Sequence, residues 1–592
     1  MFLSGSMAQR IQVISRHLQQ KKAFEEKNGA TRRLTSFEAG PHIIEYDADV
    51  DGLHSSIVDE VLTEGALSFL AELVQHFNKD VLELYRRRAE VQTKIETGTY
   101  EFGFSPETAQ IRKGIWQVEP VPSVLLDRRV DVGDVAPDDA RALVSALNSG
   151  AQGVQCDFDD GFCPTWRNVL LGIRNVMDAS QGVLCYPDSV RAHSVAIVSN
   201  AAVMMLRPRA WCMTEMHFYV NGRAIPGPLL DYGLLIYHCG AELEMRGKGP
   251  FFYCSKVENY LEARLWNSIF TWSEVKLGLK KNSVKACVLI ENITASFQMD
   301  EILYELRNHS AGLNCGIWDY SASFIARFAQ RSDMIFPDRT KYVTMECGFM
   351  RNYMRLLVDT CHKRGAIATT GMAGLVLDPK WDKATRQAKL QEVRLAKHFE
   401  AEKGGSDGAL IYDLNLKGLV AEVFGGGLGR LNQLNRPLSS ASIGPADLLE
   451  VPPGGITLEG VRFNTEIVVR FIDSWLRGRG SFVYRNSAED SATAEISRSQ
   501  IWQWVRHGLY TEGKDAITLS LVMEFACETA DELAQEGREA QIPPALVDDR
   551  VASALSLYRM LVSVPVFPRF ITTFLYEQAL FHEFARRRSP IM

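Results

Sequence analysis

Residues 284–319 have the sequence VKACVLIENITASFQMDEILYELRNHSAGLNCGIWD, which contains one complete β-α-β unit. Val284–Ile290 is a mostly apolar run of strand length. Met299–His309 follows with helical character, and Leu313–Trp318 is a short second strand with its exit loop. Apolar strands that alternate with helices are typical of a parallel sheet whose faces are covered by helices.

The same alternation continues on both sides of this unit. Further strand candidates are Val154–Phe158, Ala201–Leu206, Phe251–Cys254, Ala366–Thr370 and Ala409–Tyr412. Further helix candidates are Leu229–Glu244, Tyr260–Leu277, Ser321–Gln330, Met350–Lys363 and Arg386–Glu402. Spacing alone does not separate a closed barrel from an open sheet, but the number of units favours a TIM (β/α)8 barrel, which we place at residues 146–425.

The segments outside and within the predicted barrel have their own patterns. Residues 1–45 are polar and charged and predict a flexible arm, and residues 46–145 have helical periodicity. The Asn221-Gly222 pair predicts a β-hairpin insertion in the barrel. Residues 426–456 are rich in Gly and Pro and predict a linker, whereas residues 457–592 predict a helical C-terminal domain.

Composition limits the class of protein and its partners. The formal net charge is -7, so no basic surface for nucleic acid is indicated. No apolar run reaches the roughly 18 residues that span a bilayer, and the N-terminus has no secretory signal. The C-terminal Ser589–Met592 is not a peroxisomal address of the Ser-Lys-Leu type. Eleven cysteines without a C-x-x-C pair indicate free thiols in a reducing compartment. We therefore expect a cytoplasmic protein.

Two carboxylates stand out by their position in the predicted barrel. Glu291 directly follows the strand Val284–Ile290, and Asp319 follows the strand that begins near Leu313. Both then lie at the C-terminal face of the barrel, where active sites are built. A pair of carboxylates together with substrate oxygens suits Mg²⁺. The alternative is that each carboxylate caps a helix or pairs with an arginine.

Several longer motifs point to a known family. Met299–Arg307, Gly312–Gly316 and Trp318–Tyr320 resemble the malate synthase signature, and Ala492–Arg498 with Ile501–Trp504 resembles its C-terminal region. Shorter stretches that agree with the family are Leu125–Val130, Arg207–Arg209 and Cys361–Ala366. The resemblance extends from about residue 60 to about residue 560. It implies a Mg²⁺-dependent condensation of acetyl-CoA with glyoxylate, followed by hydrolysis of the thioester.

The resemblance also implies roles for individual residues. Glu291 and Asp319 match the magnesium ligands, and Arg209 matches the arginine that stabilises the developing negative charge. Asp490 matches the catalytic base; without the resemblance, it would be interpreted as the N-cap of a following helix. The backbone N–H groups that match the donors to the keto-acid carboxylate are those of Gly316, Ile317 and Trp318.

Other positions depart from the family pattern. Ile317 stands where the family usually has Arg, and Ala210 and Cys212 replace Gly and His. Asn292 replaces Thr after Glu291, and Tyr412 lies in a stretch that usually reads Ala-His-Pro. Three hypotheses therefore remain open. They are an ordinary malate synthase, a related enzyme with a changed acceptor or a non-CoA donor, and a non-catalytic binding or scaffold protein.

Overall fold

A computed structural model of the chain describes residues 34–188, 193–425, 431–438 and 442–586. Parallel strands within this part form a closed barrel. The strands are β1 (Val130–Val135), β2 (Gly153–Asp157), β3 (Val203–Arg207), β4 (Phe251–Cys254), β5 (Lys285–Ile290), β6 (Ser310–Cys315), β7 (Ala368–Ala373) and β8 (Gly408–Ile411). β8 pairs in parallel with β1 and closes the ring. The predicted TIM barrel is therefore confirmed, and the alternative of an open sheet is excluded.

Both faces of the barrel strands are buried, which explains their apolar runs. In β3, Val203 and Met205 pack into the barrel interior, whereas Met204 and Leu206 pack outward against the helices. Because side chains alternate along a strand, the next inward position of β3 is Arg207. The alternation of side chains along β3 therefore places the guanidinium group of Arg207 at the C-terminal mouth of the barrel.

Helices surround the barrel and connect its strands. Those that follow β1 to β8 are Ala140–Leu147, Trp166–Ser180, Gly227–Met245, Tyr260–Leu277, Ile293–Ser296, Met299–Glu305, Trp318–Arg327, Arg339–Tyr342, Gly348–Lys363, Lys383–His398 and Lys417–Gly425. Lys383–His398 continues into a π-helical turn at Phe399–Gly404. In the part of the chain that the structure describes, no helix is both long and apolar enough to cross a bilayer.

The barrel begins earlier in the chain than expected. Its first strand, Val130–Val135, precedes residue 146, where the prediction placed the boundary. Polar residues conceal this strand in the sequence, because Asp131 points into the interior and pairs there with Arg128. The pairing of β1 with β2 also shifts register between Val132 and Val135, which interrupts the regular alternation.

The N-terminal region is partly a sheet. Leu34–Ala39 and His42–Asp47 form a four-stranded antiparallel sheet with Thr214–Val220 and Arg223–Pro226. The last two strands are the predicted hairpin insertion, and its turn has positive φ angles of 51° at Asn221 and 73° at Gly222. The predicted arm at residues 1–45 is thus ordered from residue 34 onward, and residues 1–33 lie outside the described residues. The remaining N-terminal helices are Ser55–Val61, Glu64–Glu96 and Ala109–Lys113.

The C-terminal domain is helical, as predicted, and has its own hydrophobic core. Its helices are Leu458–Leu476, Ser491–Arg506, Leu519–Glu539, Pro544–Ser563, Ile571–Tyr576 and Ala579–Arg586. A hairpin of Phe482–Tyr484 and Ser487–Glu489 reaches the barrel, where Ser487 forms a β-bridge with Leu375 after β7. The predicted linker contains the short helix Pro445–Leu448. Its residues 426–430 and 439–441, and the C-terminal residues 587–592, lie outside the described residues.

Candidate active site

A cavity of about 950 Å³ opens at the C-terminal ends of the barrel strands, where the C-terminal domain covers the barrel. Its walls come from both domains, since Glu291 and Asp319 of the barrel and Asp490 of the C-terminal domain all line it. The size is suited to a small-molecule substrate. The structure therefore brings the predicted metal ligands and the predicted base to one cavity.

The two predicted metal ligands are joined by a third carboxylate. Oxygen atoms of Asp160, Glu291 and Asp319 all lie within 4.8 Å of one another. All three side chains are buried, and burial raises the pKa of both Glu291 and Asp319. Oδ1 of Asp319 is buried and has no hydrogen-bond partner among the described residues. This set of hard oxygen donors fits Mg²⁺.

Lys256 is the cation that partly neutralises this cluster. Its Nζ lies 2.9 Å from Oδ1 of Asp160 and 2.7 Å from Oδ2 of Asp319. Its backbone N–H donates to Oε1 of Glu291 over 2.6 Å. The loop after β4 therefore positions both the ammonium group and one of the carboxylates. Neither Lys256 nor Asp160 was predicted from the sequence as a site residue.

Asp490 directly precedes the helix Ser491–Arg506. Its position suits both interpretations made from the sequence, the N-cap of this helix and the catalytic base. Its Oδ1 accepts a hydrogen bond of 3.0 Å from the backbone N–H of Thr493, so it is an N-cap. It also lines the cavity and is 8% exposed. Burial raises the pKa of Asp490, and Asp160 raises it further. A carboxylate of raised pKa in a cavity has the properties of a general base.

The helix of Asp490 is tied to the barrel by its first residue. Ser491 donates a hydrogen bond from Oγ to the carboxylate of Asp160, and its backbone N–H contacts the carbonyl oxygen of Asp160. The same aspartate thus contacts Lys256, Arg207 and the C-terminal domain. Asp160 therefore couples the position of Asp490 to the carboxylate cluster.

The structure places the two arginines of the Arg207-Pro208-Arg209 motif in different surroundings. The guanidinium of Arg209 is enclosed by Asp231 and Glu215, at 2.7 Å from each, and does not line the cavity. Arg207 does line the cavity and contacts Asp160. The sequence signal that could have singled out Arg207 was its position directly after the predicted strand Ala201–Leu206, in line with the inward residues Val203 and Met205.

Acidic residues at the C-terminal ends of β1 and β2 complete the charged mouth of the barrel. Nη1 of Arg207 lies 3.4 Å from Oδ2 of Asp157, and Nη2 lies 3.4 Å from Oδ2 of Asp159. The carboxylate of Asp134 lies 3.9 Å from Nη1 of Arg207. The run Asp157-Phe158-Asp159-Asp160 at the end of a predicted strand was the available sequence signal for Asp157 and Asp159.

Gly316, Ile317 and Trp318 also line the cavity. The helix Trp318–Arg327 begins directly after them, so its first backbone N–H groups have no partner within the helix. The N-terminus of a helix attracts anions such as a carboxylate. The ring of Trp318 is in turn covered by the guanidinium of Arg339, 4.9 Å from the ring centre.

Comparison with known proteins identifies the family. The chain matches the models for the N-terminal domain of malate synthase at residues 47–110, its TIM barrel domain at residues 203–451 and its C-terminal domain at residues 455–579. The chain belongs to the malate synthase family. The family resemblance predicted from the motifs is therefore confirmed, as is the enzyme class.

Malate synthases from distant organisms are similar to this chain over most of its length. The one from Myxococcus xanthus is 40% identical over 88% of this chain and 94% of its own length. The one from Streptomyces clavuligerus is 42% identical over 79% of this chain and 87% of its own length. The one from Arabidopsis thaliana is 36% identical over 92% of this chain and 97% of its own length. A malate synthase from Haloferax volcanii, solved as a pyruvate/acetyl-CoA ternary complex, has 15% identity and a TM-score of 0.40 over 72% of this chain and 98% of its own.

Proposed function

We propose that this chain condenses acetyl-CoA with glyoxylate and hydrolyses the resulting thioester to malate and CoA. The observation that carries the proposal is the convergence of Asp490, Arg207 and three carboxylates on one cavity. This convergence also argues against a non-catalytic scaffold, for which no such constellation is required. A cytoplasmic location remains a prediction from the sequence.

Asp490 is the proposed general base. The methyl protons of a thioester are weakly acidic, so a fixed carboxylate must remove one of them. The proton passes to an oxygen of Asp490, and the electron pair of the C–H bond remains on the substrate as an enolate. The hydrogen bond from Thr493 fixes the orientation of the carboxylate for this step.

Arg207 is the proposed stabiliser of the enolate, in preference to Arg209. Its guanidinium lines the cavity, stays charged at any working pH and is fixed in place by surrounding aspartates. The guanidinium of Arg209 is enclosed by Asp231 and Glu215. Arg209 therefore supports the loop after β3 instead of facing the substrate.

The acceptor is held by backbone groups and by oxygen ligands of a metal ion. The N–H groups of Gly316, Ile317 and Trp318 are the proposed donors to the carboxylate of the 2-oxo acid. Glu291, Asp319 and Asp160 would hold Mg²⁺, since their oxygens lie together and include the unpartnered Oδ1 of Asp319. When bound there, Mg²⁺ supplies Lewis-acid polarisation of the acceptor carbonyl.

The rest of the cavity supports a large anionic donor such as acetyl-CoA. Further cations that line it are Arg339, Lys397 and Arg485, and the side chain of Arg485 is 45% exposed at the rim. Buried apolar residues also line the cavity, among them Leu289 and Leu410. Cations and apolar walls in one cavity suit a donor that combines an acyl chain with phosphates.

A larger 2-oxo acid is a second candidate acceptor. Ile317 lines the cavity beside the proposed carboxylate donors and places an aliphatic side chain there. An aliphatic wall can favour an acceptor with an added methyl group by about 1–3 kcal/mol. Competition between glyoxylate and pyruvate, followed by NMR identification of the product, decides between them. Malate as the main product supports the first candidate, and a methylated product supports the second.

A further inference from the structure

Arg339 is a buried arginine of the cavity wall whose charge has no carboxylate partner. Its side chain lines the cavity, and the residue is 5% exposed. Lys397 and Arg485, which also line the cavity, are paired, because Lys397 contacts Glu400 and Arg485 contacts Glu459. Among the described residues, no carboxylate forms an ion pair with Arg339. A guanidinium that is buried without an anion is costly, so this one suits an anionic ligand.

The hydrogen bonds of Arg339 fix its guanidinium without neutralising it. Nε donates to Oδ1 of Asn464 over 3.0 Å, and Nη2 donates to Oγ of Ser497 over 2.9 Å. Both acceptors are neutral side chains of the C-terminal domain, and Nη1 has no acceptor among the described residues. The neighbouring carboxylate of Asp338 accepts instead from the backbone N–H and the hydroxyl of Thr340. One nitrogen of the guanidinium therefore remains for a ligand.

Two aromatic rings hold this guanidinium beside the proposed acceptor site. Its Cζ lies 4.9 Å from the ring centre of Trp318 and 5.5 Å from that of Phe463. Trp318 begins the helix whose first N–H groups are the proposed donors to the acceptor carboxylate. The donor residues Gly316, Ile317 and Trp318 have no cationic side chain among them. Arg339 is therefore placed to supply a positive charge at this helix N-terminus.

We propose that Arg339 is a substrate-binding residue that donates a charge-assisted hydrogen bond from Nη1 to the carboxylate of the 2-oxo acid. The inference rests on the proposed function, because it assigns a ligand within the same cavity. A carboxylate that accepts from the N–H groups of Ile317 and Trp318 can also accept from Arg339, since each of its oxygens has two acceptor positions. The C-terminal domain, which holds Arg339 through Asn464 and Ser497, then takes part in binding the acceptor.

The surroundings of the two arginines separate the acceptor from the donor. Arg485 lies at the rim with 45% of its side chain exposed, so it suits the phosphates of a donor that extends out of the cavity. Arg339 is buried between the rings of Trp318 and Phe463, so it suits a small planar carboxylate.

A purely structural alternative is that Arg339 balances the charge of Glu489. Glu489 lines the cavity, and its Oε2 is buried without a hydrogen-bond partner among the described residues. The two side chains influence each other electrostatically but form no ion pair. The double variant Arg339→Gln/Glu489→Gln separates the two roles. Glyoxylate binding stays weak in it if the substrate carboxylate is the partner of Arg339, and recovers if Glu489 is.

Calorimetric titration of the Mg²⁺-loaded protein with glyoxylate, and with pyruvate in parallel, tests the contact without acetyl-CoA. We expect Arg339→Gln to weaken binding about 10–100-fold, because a charge-assisted hydrogen bond is lost. Arg339→Lys keeps the charge but not the planar fork, so its loss should be smaller. Arg394→Gln removes an exposed arginine paired with Glu422 and is the charge-matched control, which should bind like wild type. Thermal unfolding shows whether each variant is folded.

A second variant keeps the arginine and neutralises its charge. Asn464→Asp places a carboxylate where Nε now donates to an amide oxygen, so glyoxylate should bind about tenfold more weakly although Arg339 is present. In steady-state kinetics, Arg339→Gln should raise the KM for glyoxylate about 10–100-fold and change that for acetyl-CoA less than about threefold.

Three results would overturn the inference. They are a folded Arg339→Gln protein that binds the 2-oxo acid like wild type, recovery of binding in the double variant, and wild-type protein that binds neither 2-oxo acid. If Arg339→Gln weakens the binding of CoA but not of glyoxylate, Arg339 is instead a ligand of the donor phosphates. Wild-type protein that binds glyoxylate through Arg339 but releases no thiol from acetyl-CoA would contradict the proposed function alone.

Discussion

Nζ of Lys256 lies 2.7 Å from Oδ2 of Asp319 and 2.9 Å from Oδ1 of Asp160. The ammonium group is therefore an internal counter-ion for the carboxylates that we assign to Mg²⁺. Buried carboxylates without a counter-ion are destabilising, so the lysine and the metal ion both oppose the same repulsion. The stability of this protein should depend on both cations.

Substitution Lys256→Met tests this dependence. Removal of the ammonium group leaves buried carboxylates together, so we expect the free energy of unfolding without metal to fall by about 3 kcal/mol. Addition of Mg²⁺ should then raise the melting temperature more than it does in wild type. The control is Lys341→Met, which removes an exposed lysine paired with Glu512. An equal gain from Mg²⁺ in Lys256→Met and wild type would argue against a shared site.

Glu291→Gln tests the carboxylate cluster as the metal site. The amide keeps the shape of the side chain but removes its negative charge, so Mg²⁺ affinity should fall about 10–100-fold or more. Isothermal titration calorimetry measures this directly. Glu400→Gln is a matched control, because Glu400 is also buried and lines the same cavity but pairs with Lys397. If both variants bind Mg²⁺ like wild type, Glu291 is not a ligand.

The two arginines of the β3 motif should differ in the property that they control. Arg207→Lys should lower kcat about 10²–10³-fold, because Arg207 faces the cavity in which the enolate forms. Arg209→Lys breaks a bidentate contact with Asp231, so it should mainly destabilise the fold, by about 3 kcal/mol. Kinetics and thermal unfolding of both variants separate these effects. The reverse pattern would restore the role that the family motif suggested for Arg209.

The pH dependence of activity follows from the state of Asp490. The base must be ionised to accept a proton, and burial raises its pKa above the usual value of about 3.9. Activity should therefore be lost as the pH falls through this raised pKa, well before ordinary surface aspartates become protonated. The same shift means that ionised Asp490 is unfavourable in the folded state, so its contribution to stability declines as the pH rises through that range. A kcat/KM that stays constant down to about pH 4 would contradict this prediction.

The sequence predicted the barrel because most of its strands are apolar on both faces. β4 was predicted with the bounds that the structure shows, Phe251–Cys254. β1 was missed because its inward positions include Asp131, whose charge is satisfied by Arg128 inside the barrel. A pairing of this kind between side chains is not visible in a hydrophobicity pattern.

The candidate site was predictable where a carboxylate directly follows a recognisable strand. Glu291 and Asp319 were predicted in this way, whereas Asp160 lies in a loop whose distance to them depends on closure of the barrel. Alternation along β3 gives Arg207 and Arg209 the same parity, so it does not separate them. The structure does, because β3 ends at Arg207 and the following loop encloses Arg209 between Asp231 and Glu215.

The most direct test is thiol release from acetyl-CoA by the purified protein, with glyoxylate and Mg²⁺ present or omitted in turn. We predict that release requires both and disappears in Asp490→Asn, with a loss of about 10²–10⁴-fold, while that variant still binds Mg²⁺. Release that persists in Asp490→Asn would contradict the assignment of the base. A folded wild-type protein that binds Mg²⁺ but releases no thiol would contradict the proposed reaction.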